Sequence, residues 1–146
     1  MKVLSPRSNG LKETEPFELR IDKEADIVAV RQRVRELAKG HRFDQFEVAA
    51  LTTAASELSR NIWVHAQKGT ARIAVLHGKR VGLELEFADR GPGIADLDRA
   101  LAGGFSTAKS LGLGLSGTKR LVDEFHIDTE VGRGTTIVVR KWKKEF

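Results

Sequence analysis

The segment TARIAVLHGKRVGLELEFADRGPGI, residues 70–94, decides the fold. Within it, residues 70–77 and 81–88 are two runs of alternating character joined through Gly78-Lys79-Arg80, a pattern that predicts a β-hairpin. The second run passes directly into Asp89-Arg90-Gly91-Pro92-Gly93-Ile94. There an acid stands at a strand terminus, and two glycines allow positive φ or close backbone approach. Read alone, these six residues fit a tight turn as well as a ligand site, and the sequence on either side has to separate the two.

Upstream, Val48, Leu51, Ala55, Leu58 and Ile62 step by three and four residues from Asp44 to about Ala66, which predicts a helix with Asp44 as its N-cap. Before it, Ile27, Val30, Val34 and Leu37 mark another helix. Its outer face carries Arg31, Arg33, Arg35 and Lys39, and Gly40 stands where a C-terminal cap belongs. Phe17, Leu19 and Ile21 alternate as a strand. Residues 1–16, with Ser5, Pro6, Ser8, Asn9, Gly10 and Pro16, read as a flexible tail, so the domain is expected to span 17–146. Downstream, a short helix is expected over 97–102, a glycine-punctuated loop over 103–114 and a helix over 115–125. Strands near 126–131 and 134–142 then flank the Gly132-Arg133-Gly134 turn. This order predicts a two-layer α/β sandwich, with helices on one face of a mixed, mostly antiparallel sheet.

Composition narrows the function. With 146 residues and no cysteine, thiolate nucleophiles, disulfide frameworks and Cys-based metal sites are excluded, and the length suits one domain. The four histidines show no paired metal-ligand spacing. Apolar runs are far shorter than the roughly 18 residues of a membrane span. Polar Ser5–Arg7 after Met1–Leu4 leaves no room for a signal-peptide core, so a cytoplasmic protein without a membrane segment is expected. There are 25 Lys and Arg against 20 Asp and Glu, a net charge of +5, but acids and bases interleave. No nucleic-acid partner is expected, because an RNP-type aromatic pair, a helix-turn-helix and a long basic stripe are all missing.

Two further features bear on chemistry. Glu57 and Asn61 lie four residues apart, placing a carboxylate and a carboxamide one above the other on the second helix. Gly112-Leu113-Gly114-Leu115-Ser116-Gly117 immediately precedes a helix, where unpaired N–H groups and the helix dipole favour a phosphate chain. No Walker-type motif is present, and the glycine cluster follows a loop instead of a strand, so neither the P-loop nor the dinucleotide fingerprint fits.

In order, E-L-S-R-N at 57–61, D-R-G-P-G-I at 89–94, G-L-G-L-S-G at 112–117 and G-T-T at 134–136 resemble the N, G1 and G2 boxes and the terminal-strand Thr of the GHKL (Bergerat-fold) ATPase/kinase family. The resemblance spans residues 16–146. Within that family, residues 104–125 and 131–142 look most like the RsbT-type switch serine/threonine kinases of bacterial stressosome and partner-switching modules. Anti-sigma-factor kinases are the neighbouring group. The latter carry an Arg before the glycine cluster, where this chain has Lys109 and Ser110.

The resemblance implies ATP and Mg²⁺ as cofactors. Asn61 would give its side-chain oxygen to Mg²⁺, and Glu57 would be the general base toward a hydroxyl nucleophile. Asp89 would accept a hydrogen bond from the adenine amino group, a donor that guanine lacks at that position. Gly91 and Gly93 would let the backbone approach the ring, Ile94 would pack on it, and Thr136 would be the second polar contact, with Thr135 as the alternative. Thr107, Lys109, Gly112, Leu113, Gly114 and Gly117 would surround the phosphates. The implied reaction is phosphorylation of Ser or Thr on STAS-domain antagonist or scaffold proteins, followed on release by activation of a PP2C-type phosphatase. The alternative is an anti-sigma factor that binds a sigma factor in a nucleotide-dependent way. A sensor histidine kinase is disfavoured, since no histidine sits in a phosphoacceptor context and no dimerisation helix pair is present.

Overall fold

The computed structural model describes residues 11–102 and 114–144. Their elements run β1 (Lys12–Ile21), α1 (Ala25–Gly40), α2 (Gln45–His65), β2 (Gly69–His77), β3 (Val81–Asp89), α3 (Leu97–Ala102), α4 (Gly114–Leu121), β4 (Glu124–Glu130) and β5 (Gly134–Trp142). The strands form one sheet in the order β1-β2-β3-β5-β4. Helices and sheet make the α/β sandwich that the sequence predicts, with one refinement: every neighbouring pair is antiparallel, so the sheet is not mixed. Two helices, α1 and α2, connect β1 to β2, and this double reversal returns the chain antiparallel where a single crossover helix would give a parallel pair. β3 and β4 do run parallel, but β5 lies between them.

Both long helices bury the faces that the spacing marks. Val30, Val34 and Leu37 of α1 and Leu51, Ala55, Leu58 and Ile62 of α2 pack with Ile73, Leu85, Phe87 and Val139 of the sheet in one core. Each large apolar side chain sequestered this way contributes roughly 1.5–3 kcal/mol. A capping box opens α2: Asp44 Oδ1 accepts the Glu47 N–H at 2.7 Å, and Glu47 Oε1 accepts the Asp44 N–H at 2.8 Å.

Three boundaries differ from the sequence reading. Residues 12–16 belong to β1 and not to a flexible tail. Pro16 has no N–H to donate and reads as a break, but β1 is an edge strand, and a bulge places Glu15 and Pro16 together opposite Ala74. Residues 1–10 lie outside the described residues. Gly40 is not the cap of α1; it is the last helical residue. The left-handed position falls to Arg42, at φ 62°, and the end is closed by Phe43 N–H to Ala38 O and Arg42 N–H to Lys39 O, both 3.0 Å, with Phe43 buried behind them. Finally, α4 ends at Leu121 instead of continuing to Phe125. Glu124 is drawn into the sheet because its carboxylate accepts from Trp142 Nε1 at 2.6 Å and Arg140 NH1 at 3.3 Å, and the Asp123 N–H reaches Arg140 O at 2.9 Å.

Candidate nucleotide site

Between α2 and the ends of β3 and β5 lies a cavity of about 300 Å³, at the lower end of the roughly 300–1,000 Å³ typical of small-molecule sites. Its walls are mostly apolar. Leu58 and Ile62 of α2, Phe87 of β3 and Ile137 of β5 line it together with Pro92, Ile94, Ala100 and Leu115. Asn61, His65, Asp89 and Thr135 supply polar side chains.

Strand register sets the polar end. Asp89, the last residue of β3, stands opposite Gly69 of β2 on one side and Thr135 of β5 on the other, and Thr135 in turn stands opposite Thr129 of β4. One row across four strands therefore reads Gly69, Asp89, Thr135, Thr129. Facing residues on neighbouring antiparallel strands share a sheet face, which explains why Asp89 and Thr135 both line the cavity. Thr136, which the sequence reading preferred, is not among the lining residues, and its alternative Thr135 is. Asp89 Oδ1 accepts the Gly91 N–H at 2.9 Å, an Asx-type turn that orients the carboxylate.

The two glycines after Asp89 serve protein packing as well as the cavity. Gly93 has φ 76°, and a side-chain carbon there would collide with Glu130 O at the end of β4. A Cβ on Gly91 would come within 2.6 Å of the Ala66 Cβ just beyond α2. The turn is held on its far side by Gly132 N–H to Pro92 O and by Ile94 N–H to Thr129 Oγ1, both 2.9 Å.

Of the residues singled out from sequence, Asn61, Asp89, Gly93, Ile94 and Gly114 are brought together around the cavity. Gly91 adjoins it through Asp89. Glu57 is half-buried one helical turn before Asn61 and is not among the lining residues. Gly117 lies within α4 and is not among the lining residues. Thr107, Lys109, Gly112 and Leu113 lie outside the described residues. Sequence reasoning missed His65 and the apolar walls. His65 is eight residues beyond Glu57 and four beyond Asn61, so helical spacing alone would have placed it on the same line.

Among the described residues no group of three His, Cys, Asp or Glu side chains could hold a metal ion. The one oxygen donor on the α2 wall is the Asn61 carboxamide. That donor set fits Mg²⁺, which keeps most of its ligands from phosphate and water, and does not fit a metal caged by protein alone. No helix among the described residues is long and apolar enough to cross a membrane.

Comparison with known proteins agrees with this geometry. Residues 21–141 match the family described as histidine kinase-like ATPase domain. The serine/threonine-protein kinase RsbT of Bacillus subtilis is 46% identical over 126 residues, covering 85% of this chain and 94% of that protein. An anti-sigma F factor of Caldanaerobacter subterraneus is 29% identical over 104 residues, covering 66% of this chain and 71% of the relative. Among solved structures, one of the RsbU and RsbW domains of a Mycobacterium tuberculosis protein superposes with a TM-score of 0.63 at 21% identity. It covers 90% of this chain, which spans about a third (34%) of the larger one. The mycobacterial sensor histidine kinase MprB superposes with a TM-score of 0.54 at 18% identity, covering 90% of this chain and 99% of the other, a likeness of fold alone. The four sequence boxes, the antiparallel sheet under a helical hairpin and the match across most of the chain lead to one conclusion: this protein belongs to the histidine kinase-like ATPase domain family.

Proposed function

We propose that the chain is an ATP-dependent serine/threonine protein kinase of a partner-switching module, and that the cavity receives the adenosine end of ATP. The observation that carries this reading is the Asp89–Thr135 pair facing a mostly apolar cavity that Asn61 of α2 also lines. The apolar walls take the faces of the base. Asp89 accepts the adenine amino group, and a carboxylate there repels the keto oxygen of guanine. The 46% identity to RsbT across nearly the whole of that kinase supports protein Ser/Thr as the acceptor.

In the transfer, the acceptor hydroxyl oxygen forms a bond to the γ-phosphorus while the bond from that phosphorus to the β,γ-bridging oxygen breaks. ADP leaves, and the hydroxyl proton passes to Glu57. Asn61 would hold Mg²⁺, which when bound supplies positive charge against the phosphate oxygens. Thr107, Lys109, Gly112, Leu113, Gly114 and Gly117 are assigned to the phosphate end on the sequence pattern. The acceptors we propose are STAS-domain proteins, with a PP2C-type phosphatase as the later partner, in the cytoplasm. Anti-sigma F relatives at 29% identity favour sigma-factor capture as the second reading.

Incubating the protein with labelled ATP, Mg²⁺ and STAS-domain proteins encoded beside it separates these readings. Glu57→Gln should lower kcat by about 10²–10⁴ with KM nearly unchanged, and Asn61→Ala should abolish Mg²⁺-dependent transfer. Label transfer indifferent to Glu57→Gln removes that residue as base. Tight sigma-factor binding without transfer to any STAS protein favours the second reading.

A further inference from the structure

The outer face of α1 serves neither the cavity nor the core. Val28, Arg31, Arg35 and Lys39 follow one another at steps of three, four and four residues, so they stand in one line along the helix, and all four are exposed. At 1.5 Å per residue the line is about 16 Å long. Its three cations make no ion pair with any described residue. Glu36, the one acid between Val28 and Lys39 in the sequence, lies 3.7 Å from Arg33, whose guanidinium also sits 4.4 Å above the Phe17 ring. Elsewhere the fold sets arginines against acids, Arg72 on Glu13 and Arg140 on Glu84 and Glu124.

On α1 the unpaired cations face one another, and like charges four residues apart weaken a helix. The negative end of the helix dipole accounts for Lys39 in the last turn, but its effect fades within that turn and does nothing for Arg31 and Arg35. An anion from outside would offset the repulsion. Apolar residues mark both ends of the line. Val28, 42% exposed, opens it. At the end where Lys39 stands, the chain turns through exposed Arg42 into α2, and there Phe46 is 71% exposed, more than any other large apolar side chain among the described residues. A phosphodiester backbone has no use for these two residues, and a bilayer surface needs an apolar face along the whole helix. We infer that the outer face of α1 docks an acidic helix of a partner protein. Carboxylates four residues apart on such a helix recur about every 6 Å and match Arg31, Arg35 and Lys39, while apolar residues flanking them cover Val28 and Phe46. This docking goes beyond the kinase reading and needs no nucleotide.

The probes are the STAS-domain proteins and the PP2C-type phosphatase encoded beside the chain, with anionic lipid vesicles and a short DNA duplex as the other sources of negative charge. At least one of the proteins should bind the full chain, more weakly as salt rises. Reversing two charges, Arg31→Glu with Arg35→Glu, should weaken that binding about tenfold or more, because each change removes an attraction and adds a repulsion. Arg31→Lys with Arg35→Lys should bind like the wild type. A carbodiimide, which joins an ammonium to a carboxylate in contact with it, should link Lys39 to an acid on a helix of the bound protein. None of these residues lines the cavity, so the thermal shift with ATP should be the same in every variant. Should the double reversal not fold, Arg35→Glu alone repeats the measurement, with a smaller loss of the same sign expected. Equal binding by the wild-type and charge-reversed chains, tighter binding of vesicles or DNA than of any protein, a Lys39 link outside a helix, or no protein bound at all overturns the docking face. A wild-type chain that shows no shift with ATP overturns the adenine reading and leaves the docking face standing.

Discussion

Arg42 carries a strain that its sequence neighbours hide. A side-chain-bearing residue at φ 62° costs roughly 1–2 kcal/mol, and glycine would remove that cost while adding about 0.5–1 kcal/mol of freedom in the unfolded chain. Arg42→Gly is therefore expected to stabilise by about 0.5–1 kcal/mol, read as a rise in thermal midpoint of roughly 1–4 °C. No change, or a fall, would mean that the guanidinium makes a compensating contact. Gly40, two residues earlier, shows how far single residues were legible in the sequence. Its presence correctly marks the end of α1, but its identity suggests the cap, and the chain spends the left-handed position two residues later so that Phe43 can be buried. Which residue carries the positive φ depends on that tertiary contact, and no local pattern encodes it.

At the scale of elements, the capping box joins the start of α2 to the far end of the chain: Glu47 Oε2 accepts the Lys144 N–H at 2.9 Å, and Lys144 Nζ lies 3.4 Å from Asp44. The Glu47 N–H holds the Asp44 carboxyl below its ordinary value, outweighing desolvation that raises it, and the Lys144 charge adds to the lowering. Since the folded state lowers this value, the stability it confers is fully present above about pH 4, the unfolded carboxyl's range, and is lost as pH falls through the folded value. Urea midpoints measured from pH 6 down to pH 2.5 should fall less steeply in Asp44→Asn than in the wild type over the acid end of that series. Equal slopes would contradict the assignment. The α2 stripe and the β2–β3 hairpin lie where their periods place them, the hairpin marked by its Gly78-Lys79-Arg80 turn even though Ala74 and Leu76 on the second face of β2 are buried like Ile73 and Val75. Legibility failed at β5, where Val138 and Arg140 on the face opposite Ile137 and Val139 are also buried. With both faces sequestered, alternation could not say whether Thr135 or Thr136 turns inward. It failed again at Leu121–Glu124, where helix and strand compete and the Glu124 bonds to Arg140 and Trp142, made across 16 and 18 residues, settle the boundary.

For the whole molecule, the proposed site draws on α2, β3, the turn after it, α3, α4 and β5, so a bound nucleotide ties together segments from residue 58 to residue 137. Saturation at about 100 times Kd should add roughly 2.7 kcal/mol and raise the thermal midpoint by about 5–11 °C. GTP at the same concentration should shift it far less, and equal shifts would contradict the Asp89 assignment. Polar members of the site such as Asn61 and Asp89 were readable as motifs because a carboxamide or carboxylate beside an apolar stripe needs a reason. Leu58, Phe87 and Ile137 were not, because a cavity wall and a packed core use the same residue types. The sheet order has one more consequence. β5 follows every other described element along the chain, yet it sits between β3 and β4 and supplies Thr135 and Ile137 to the cavity. Before β5 is in place, Asp89 has its β2 neighbour but no strand on its other side. The cavity is therefore completed only when β5 threads between its two neighbours, and a chain cut short before Gly134 would lack one of its walls.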